Sequence, residues 1–155
     1  MKVLFIGGTG NISTSVSELL IEKGVDLYHL NRGMRQPIQG VAHLKADITD
    51  MTGVKKVLDG HHWDVVVNWI AYEPADVQRD IALFEHTADQ YIFISSASAY
   101  QKQHDHQLIT ESTPLENPWW DYSRKKIACE QLLMNAFRDQ GFPVTIVRPS
   151  HTYCS

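Results

Sequence analysis

The sequence predicts an α/β fold built on a doubly wound parallel sheet of about six strands, with helices on both faces. Short apolar runs alternate along the chain with longer segments in which apolar residues recur at helical spacing, which is the pattern of βαβ units. The run Val65–Asn68 is almost purely β-branched, as is typical of parallel strands covered on both faces. A cluster of glycines follows the first apolar run, where such a sheet passes from strand to helix.

Each element can be placed in order along the chain. The predicted strands are Val3–Ile6, Asp26–Leu30, His43–Ala46, Val65–Asn68, Tyr91–Ser95 and Val144–Val147. The predicted helices are Ile12–Lys23, Met51–Leu58, Ala75–His86 and Asp121–Asp139. The apolar face of the first helix is formed by Ile12, Val16, Leu19 and Leu20. Gly24 ends this helix and Gly141 ends the last one, which a polar loop over residues 101–118 precedes.

Composition limits the class of protein. The 155 residues are 43% hydrophobic and 21% charged, which suits one domain over residues 1–155. The net charge of −4 provides no overall basic field that would favour nucleic acid as a partner. No apolar run approaches the roughly 20 residues of a membrane span. The two cysteines form no disulfide framework and the eight histidines show no zinc spacing, so we expect a cytoplasmic protein without a metal.

The glycine-rich segment after the first strand predicts a phosphate-binding turn. Gly7 permits a tight turn, Gly10 lets a pyrophosphate approach the backbone, and the next helix presents N–H groups to the phosphates. Ser13 replaces the third glycine of the usual pattern, so we expect the helix to stand slightly away from the strand. The predicted cofactor-binding residues here are Gly7, Gly8, Thr9, Gly10, Asn11 and Ile12. An ordinary strand-to-helix turn is the alternative, and the βαβ context favours the binding turn.

The residues after the second and third strands bear on the choice of dinucleotide. Asn31 and Arg32 follow the second strand, where a carboxylate would favour NAD and an arginine would accept the 2′-phosphate of NADP. We therefore expect NAD(P), with a preference for NADP, although Arg32 could also be a solvated loop charge. Asp47 and Ile48 follow the third strand, and Asp47 could accept a hydrogen bond from the adenine amino group. A turn or helix-capping carboxylate is the equal alternative for Asp47.

A second group of residues predicts a proton-transfer site. Tyr122 and Lys126 lie four residues apart on the last helix, hence on one face, with Glu130 one turn further. The lysine ammonium is expected to lower the pKa of the tyrosine, which is otherwise near 10. Ser96, at the carboxyl end of the fifth strand, could hold a substrate hydroxyl or carbonyl beside this tyrosine. An exposed helix face is the alternative for an isolated Tyr-x-x-x-Lys match.

Seven short segments together indicate a family. They are GGTGNIS from residue 7, ADI from 46, DVVVNWIA from 64, SSASAY from 95, TPLENP from 113, YSRKKIACE from 122 and VRPSHTY from 147. In these segments, and over essentially its whole length, the chain resembles the extended short-chain dehydrogenase/reductase family, in the NAD(P)-dependent epimerase/dehydratase branch. The resemblance implies a Rossmann fold that binds NAD(P).

The resemblance also implies roles for individual residues. The catalytic serine, tyrosine and lysine of the family correspond to Ser96, Tyr122 and Lys126, and the lysine also holds the nicotinamide ribose. Ile70 and Ala71 correspond to the segment that lies against the cofactor after the fourth strand. Members of the family oxidise a nucleotide-sugar hydroxyl through the nicotinamide and then epimerise, dehydrate or reduce the intermediate. A nucleotide sugar is therefore the expected substrate.

Several departures from the family pattern support a second hypothesis. Ser13 replaces a glycine, Asn31 and Arg32 replace the acidic NAD signature, and the segment from Asn68 to Ala71 is bulkier than usual. Similar features occur in an atypical subgroup that includes relatives of the chloroplast stem-loop RNA-binding proteins. The alternative is thus a module that senses a dinucleotide or binds RNA without turnover.

The end of the chain prompts three further expectations. Extended family members run to about twice this length, so we expect a Rossmann domain truncated after strand six, with the C-terminal substrate region missing. The helices Ala75–His86 and Asp121–Asp139 correspond to those that pair in dimeric relatives, which implies a homodimer. Trp119 and Trp120 either line the mouth of the site or belong to the core.

Overall fold

A computed structural model describes residues 1–101 and 108–152. Its strands are β1 (Lys2–Ile6), β2 (Asp26–Asn31), β3 (Ala42–Lys45), β4 (Val65–Asn68), β5 (Tyr91–Ile94) and β6 (Val144–Val147). Its helices are α1 (Asn11–Glu22), α2 (Met51–Leu58), α3 (Pro74–Phe84) and α4 (Asp121–Gln140), with a short 3₁₀ helix at Ala97–Ala99 that was not predicted. The predicted strands and α-helices are confirmed to within about two residues at each end. Part of the predicted polar loop, and Cys154, lie outside the described residues.

The six strands form one parallel sheet, which confirms the predicted doubly wound fold, and their order is β3-β2-β1-β4-β5-β6. The last residue of β1, Ile6, pairs with Leu30 of β2 on one side and with Asn68 of β4 on the other. The chain leaves β1 towards β2 and later returns at β4, so the winding direction reverses between β1 and β4. In open α/β sheets this reversal leaves a crevice beyond the carboxyl ends of the strands, and ligands bind there.

The sheet is covered on both faces because successive side chains of each strand point to opposite sides. Leu4 and Ile6 of β1 belong to the larger apolar cluster, which also contains residues of α2, α3 and α4. Val3 and Phe5 belong to the smaller cluster, against which Val16 and Leu20 of α1 pack. Both faces of β1 are therefore buried, and the strand is fixed at the centre of the fold.

The buried surface of α1 differs from the predicted apolar face. Leu19 is 49% exposed, whereas Ser13 and Ser17 are 2% and 0% exposed. Val16 and Leu20 do contact the sheet, but only as partly buried residues beside the two serines. The reason is the ring of His29 on β2, which lies under the start of α1 and bonds to the Ser17 hydroxyl. A pattern of apolar residues cannot reveal a buried face that is built from small polar side chains.

Both predicted glycine stops are confirmed. Gly24 follows the C-cap Lys23 of α1 with φ +70°, and Gly141 is the C-cap of α4 with φ +72°. Over residues 1–101 and 108–152, no helix is both long and apolar enough to cross a membrane. In the same ranges, no group of three or more His, Cys, Asp or Glu residues is arranged to hold a metal ion.

Candidate functional site

A cleft of about 870 Å³ opens beyond the carboxyl ends of the central strands. Its volume lies within the range of about 300–1,000 Å³ that is usual for small-molecule sites. The predicted residues that line it are Gly7, Gly8, Thr9, Gly10, Asn11, Ile12, Asn31, Arg32, Asp47, Ile48, Ile70, Ser96, Tyr122 and Lys126. Ala71 is 2% exposed and lies beneath this surface, where its carbonyl accepts a hydrogen bond from Lys126 Nζ. The fold thus brings together residues that are far apart along the chain.

The glycine loop between β1 and α1 can hold only glycine at its first two positions. Gly7 and Gly8 have φ values of +97° and +94°, which side chains rarely adopt. A Cβ atom on Gly7 would lie 2.9 Å from Ile70 Cγ2, and one on Gly8 would lie 2.7 Å from His29 Nε2. At Gly10, by contrast, the nearest of these atoms to an added Cβ is Ser13 Oγ, at 3.5 Å. Gly10, which is exposed and lines the cleft, therefore has open space around it.

Ser13 connects the first turn of α1 to the glycine loop. The Gly10 N–H donates to Ser13 Oγ at 2.9 Å, and this hydroxyl donates to the Gly10 carbonyl at 3.3 Å. Ser13 is 2% exposed, and these two hydrogen bonds hold its side chain against the glycine loop. The first N–H groups of a helix have no partner within the helix, and the helix dipole favours an anion there. The open backbone at Gly10 and these N–H groups together fit a dinucleotide pyrophosphate.

The loop after β2 forms the distal wall of the cleft. Asn31 Oδ1 accepts the Gly33 N–H at 2.9 Å, which closes a tight turn and leaves Arg32 exposed at the cleft. Arg35, two residues beyond Gly33, donates a hydrogen bond from Nη1 to the Thr9 carbonyl. Two arginines therefore border the same end of the cleft, one of them attached to the glycine loop.

Asp47 and Ile48 lie beside this wall, after β3. Asp47 Oδ1 accepts the Thr49 N–H at 3.0 Å and the Thr49 hydroxyl at 2.8 Å. These hydrogen bonds lower the pKa of Asp47, and the nearby charge of Arg32 lowers it further. Asp47 therefore forms a turn through Oδ1 and also lines the cleft, and its hydrogen bond to an adenine amino group stays a prediction.

Ser96, Tyr122 and Lys126 meet at the opposite end of the cleft. Tyr122 is half-buried, and burial raises its pKa, an effect that the Ser96 hydroxyl partly offsets. Lys126 is 5% exposed, and burial lowers its pKa to about 8. Its Nζ donates to the carbonyls of Ala71 and Ile94, both at 2.7 Å. The expectation that Lys126 lowers the pKa of Tyr122 is therefore not met, because the ammonium is directed to two carbonyls at the ends of the strands.

The ring of Tyr122 contacts two other aromatic rings. Tyr72 stacks on it with ring centroids 5.6 Å apart, and Trp120 is tilted against it at 5.0 Å. Trp120 is 55% exposed and Trp119 is 87% exposed. A core position for the two tryptophans is therefore excluded, and neither of them lines the cleft.

A buried polar network, which the sequence analysis missed, fixes the turn between β4 and α3. Asp80 is 0% exposed and accepts hydrogen bonds from the Tyr91 hydroxyl at 2.6 Å and from the Asn68 side-chain amide. Asn68 Oδ1 accepts the N–H groups of Ile70 and Ala71 at 2.8 and 2.7 Å. The network thereby holds Ile70 at the cleft and the Ala71 carbonyl over Lys126. The signal available in the sequence was an asparagine at the end of an otherwise apolar strand.

A buried ion pair lies behind the end of the cleft that Ser96, Tyr122 and Lys126 line. Glu130 is 1% exposed and accepts hydrogen bonds from Arg148 Nε and Nη2, the latter at 2.6 Å. The hydroxyl of Ser95, which lines the cleft, also donates to Glu130. Arg148 Nη1 in turn donates to the Tyr100 hydroxyl at 2.8 Å. The pair therefore joins β6, α4 and the end of β5.

The buried His29 predicts a dependence of stability on pH. Burial, with a smaller contribution from His43, lowers the pKa of His29 from 6.5 to about 4. Between pH 4 and pH 6.5, His29 binds a proton in the unfolded chain but not in the folded chain. The free energy of unfolding therefore rises with pH over this interval and falls as the pH is lowered. This contribution is about 3 kcal/mol.

Urea unfolding of the wild type and of His29→Gln between pH 4 and pH 6.5 measures this contribution. Glutamine does not titrate, so the variant should show a correspondingly weaker dependence on pH. Equal pH dependence in both proteins would show that His29 is not the group responsible.

The chain is similar to several known proteins in sequence and in fold. The sequence profile of the NAD dependent epimerase/dehydratase family matches residues 3–155. A UDP-glucose 4-epimerase from Lactobacillus helveticus is 28% identical over 168 aligned positions, which cover 96% of this chain and 51% of that protein. The chloroplast stem-loop binding protein of 41 kDa b from Arabidopsis thaliana is 29% identical over 65% of this chain and 30% of that protein.

Solved structures show the same fold. A dTDP-glucose 4,6-dehydratase from Bacillus anthracis, determined in complex with NAD, matches with a TM-score of 0.78 at 16% identity and covers 96% of this chain. The match covers 54% of the dehydratase chain. The chain thus spans about half the length of the L. helveticus epimerase and of this dehydratase.

Proposed function

The chain belongs to the NAD dependent epimerase/dehydratase family, and from this premise we propose that it binds a dinucleotide in the cleft and acts on a hydroxyl of a nucleotide sugar. The observation that carries the proposal is the shared cleft, which is lined both by the glycine loop and by Ser96, Tyr122 and Lys126. The bound nicotinamide would accept or return a hydride. The proposal includes a longer enzyme, which is an epimerase, dehydratase or reductase. Residues 1–155 form its NAD(P)-binding domain.

The chain's own residues have distinct roles in the proposed reaction. Tyr122 is the base that takes the proton of the substrate hydroxyl, and Ser96 orients that hydroxyl. The raised pKa of Tyr122 means that the tyrosinate must be favoured by a positive charge nearby. Lys126, whose pKa is about 8, is mostly protonated at neutral pH and is one turn away on the same helix. Because its ammonium donates to the carbonyls of Ala71 and Ile94, the proposal requires Nζ to turn towards Tyr122 and the nicotinamide ribose once a dinucleotide is bound.

NADP is the preferred dinucleotide in this proposal. Support comes from Arg32, which is exposed at the distal wall where a 2′-phosphate would lie. We expect Arg32→Ala to weaken NADPH binding about ten- to hundred-fold, because one charge-assisted contact to the phosphate is lost. NADH binding should stay unchanged, since NADH has no 2′-phosphate.

Isothermal titration of the wild type and the variant with both dinucleotides measures this difference. Arg138→Ala, an exposed arginine in the last turn of α4, is the matched control and should bind NADPH as the wild type does. Equal NADPH affinity in Arg32→Ala and the wild type would overturn the NADP preference.

The reaction itself is tested by incubating the protein and NADP or NAD with a panel of UDP- and dTDP-linked hexoses. Conversion of at least one sugar, followed by chromatography and by the absorbance of the reduced nicotinamide, is expected. Saturable dinucleotide binding with no conversion in the panel would overturn the proposed reaction.

That second outcome would favour a module that senses a dinucleotide or binds RNA without turnover. The similarity to the chloroplast stem-loop binding protein supports this alternative, while the net charge of −4 does not support RNA. An RNA-binding assay of the same preparation would then separate sensing from RNA binding. A homodimer that pairs through α3 and α4 stays a prediction.

A further inference from the structure

The imidazole of His29 is buried directly under the glycine loop. The residue is 0% exposed, and its ring stacks on Phe5 with centroids 5.5 Å apart and an interplanar angle of 11°. A Cβ atom on Gly8 would lie within 2.8 Å of three atoms of this ring. The histidine therefore supports the loop from below, on the side opposite the cleft.

Hydrogen bonds lead from this ring to the start of α1. Ser17 Oγ donates to the Ser13 carbonyl at 2.7 Å and lies 3.0 Å from His29 Nε2. With the single Ser17 proton donated to the Ser13 carbonyl, the hydroxyl accepts from Nε2, which assigns the ring hydrogen to Nε2. Ser13 is also the residue whose hydroxyl bonds to Gly10. The chain of hydrogen bonds therefore ends at the backbone that would face the phosphates.

The other ring nitrogen shows that this arrangement does not maximise stability. Among the described residues, His29 Nδ1 is a buried nitrogen without a hydrogen-bond partner. A buried polar atom without a partner is unfavourable, and an apolar side chain of similar size would avoid this penalty. Ser17 would keep its bond to the Ser13 carbonyl even without the histidine. His29 therefore contributes more to the position of α1 than to the stability of the core.

We infer that His29 is a positioning residue for dinucleotide binding. Its Nε2–H acts through Ser17 and Ser13 and fixes the distance of the first turn of α1 from the sheet. At this distance the turn and the glycine loop can bind the pyrophosphate together. This hydrogen-bonded contact takes the place of the close backbone contact that a glycine at position 13 would allow. The inference rests on the proposed binding of a dinucleotide in the cleft.

The test compares NADPH affinity with the stability of the unliganded chain in His29→Leu and His29→Gln. We expect His29→Leu to bind NADPH about ten-fold more weakly, because α1 loses its hydrogen bond to the sheet. Its free energy of unfolding at neutral pH should be equal to that of the wild type or higher. Glutamine can donate from its side-chain amide to Ser17, so His29→Gln should recover most of the affinity. Isothermal titration and urea unfolding provide the two measurements.

Ser17→Ala removes the acceptor and leaves the histidine in place. It should weaken NADPH binding to a similar extent, and the double variant with His29→Leu should bind no more weakly than the single variants. If His29→Leu fails to fold, the comparison of Ser17→Ala with the wild type decides the question.

The outcomes separate the two proposals. A wild type that binds neither NADPH nor NADH would overturn the proposed function. A wild type that binds NADPH, with His29→Leu or Ser17→Ala binding equally tightly, would overturn only the role of His29. A parallel loss of stability and affinity in His29→Leu, without recovery in His29→Gln, would show a purely structural role and would also overturn the inference.

Discussion

Replacing Arg148 with methionine should lower the free energy of unfolding by about 3–5 kcal/mol, because it leaves the Glu130 carboxylate buried without its charged partner. Glu130 is 1% exposed, and Arg148 donates to both of its carboxylate oxygens. The Ser95 hydroxyl would then be its remaining side-chain donor among the described residues. Such a loss is a large fraction of the 5–15 kcal/mol that is typical of folded domains. Urea unfolding at neutral pH measures it.

The double variant Arg148→Met/Glu130→Leu is the control for this prediction. Replacing both charges with apolar side chains removes the uncompensated charge, so the double variant should regain most of the stability that Arg148→Met loses. If Arg148→Met is as stable as the wild type, or if the double variant is the less stable of the two, the buried pair does not have the energetic role assigned to it here.

Replacing Tyr122 with phenylalanine should lower turnover of the nucleotide sugar about 10²- to 10⁴-fold, because the proposed base is removed. The phenylalanine ring would keep its contacts with Tyr72 and Trp120, so the shape of the cleft should be preserved. NADPH affinity should therefore remain that of the wild type. Steady-state rates with a sugar that the wild type converts, together with titration of NADPH, measure both effects.

Tyr72→Phe is the matched control for Tyr122→Phe. Tyr72 stacks on Tyr122 but is not among the residues that line the cleft, and the substitution removes one hydroxyl in the same way. It should leave turnover within a few-fold of the wild type. Equal rates for the wild type and Tyr122→Phe would exclude the tyrosine as the base.

The fold was predictable because local patterns specify it. The apolar run Val65–Asn68 coincides with β4, and the glycines at 24 and 141 follow α1 and α4 as helix stops. Parallel topology also followed from the alternation of strands and helices. The buried face of α1 was not predictable, because Ser13 and Ser17 are buried by a histidine that lies on another element. A periodic pattern shows where apolar residues recur, but it does not show which polar residues have buried hydrogen-bond partners.

The candidate site shows the same division. That the candidate residues meet in one crevice could be predicted, because glycine spacing and strand ends place them there. The direction of the Lys126 ammonium could not be predicted, because it depends on the carbonyls of Ala71 and Ile94, which lie at two other strand ends. Asp80 and its hydrogen bond to Asn68 were missed for a similar reason, since no local pattern links a residue of α3 to the end of β4.

The central claim is that the glycine-lined cleft binds a dinucleotide, and titration of NADPH into the wild type and Gly10→Ala tests it most directly. An added Cβ at Gly10 comes no closer than 3.5 Å to Ser13 Oγ, so Gly10→Ala should fold with the stability of the wild type. Because Gly10 is exposed and lines the cleft, its added methyl group should hinder the close approach of a pyrophosphate to the backbone. We predict saturable binding of one NADPH per wild-type chain and binding at least ten-fold weaker in Gly10→Ala. No saturable binding to the wild type, or equal affinity in the folded variant, would contradict the claim.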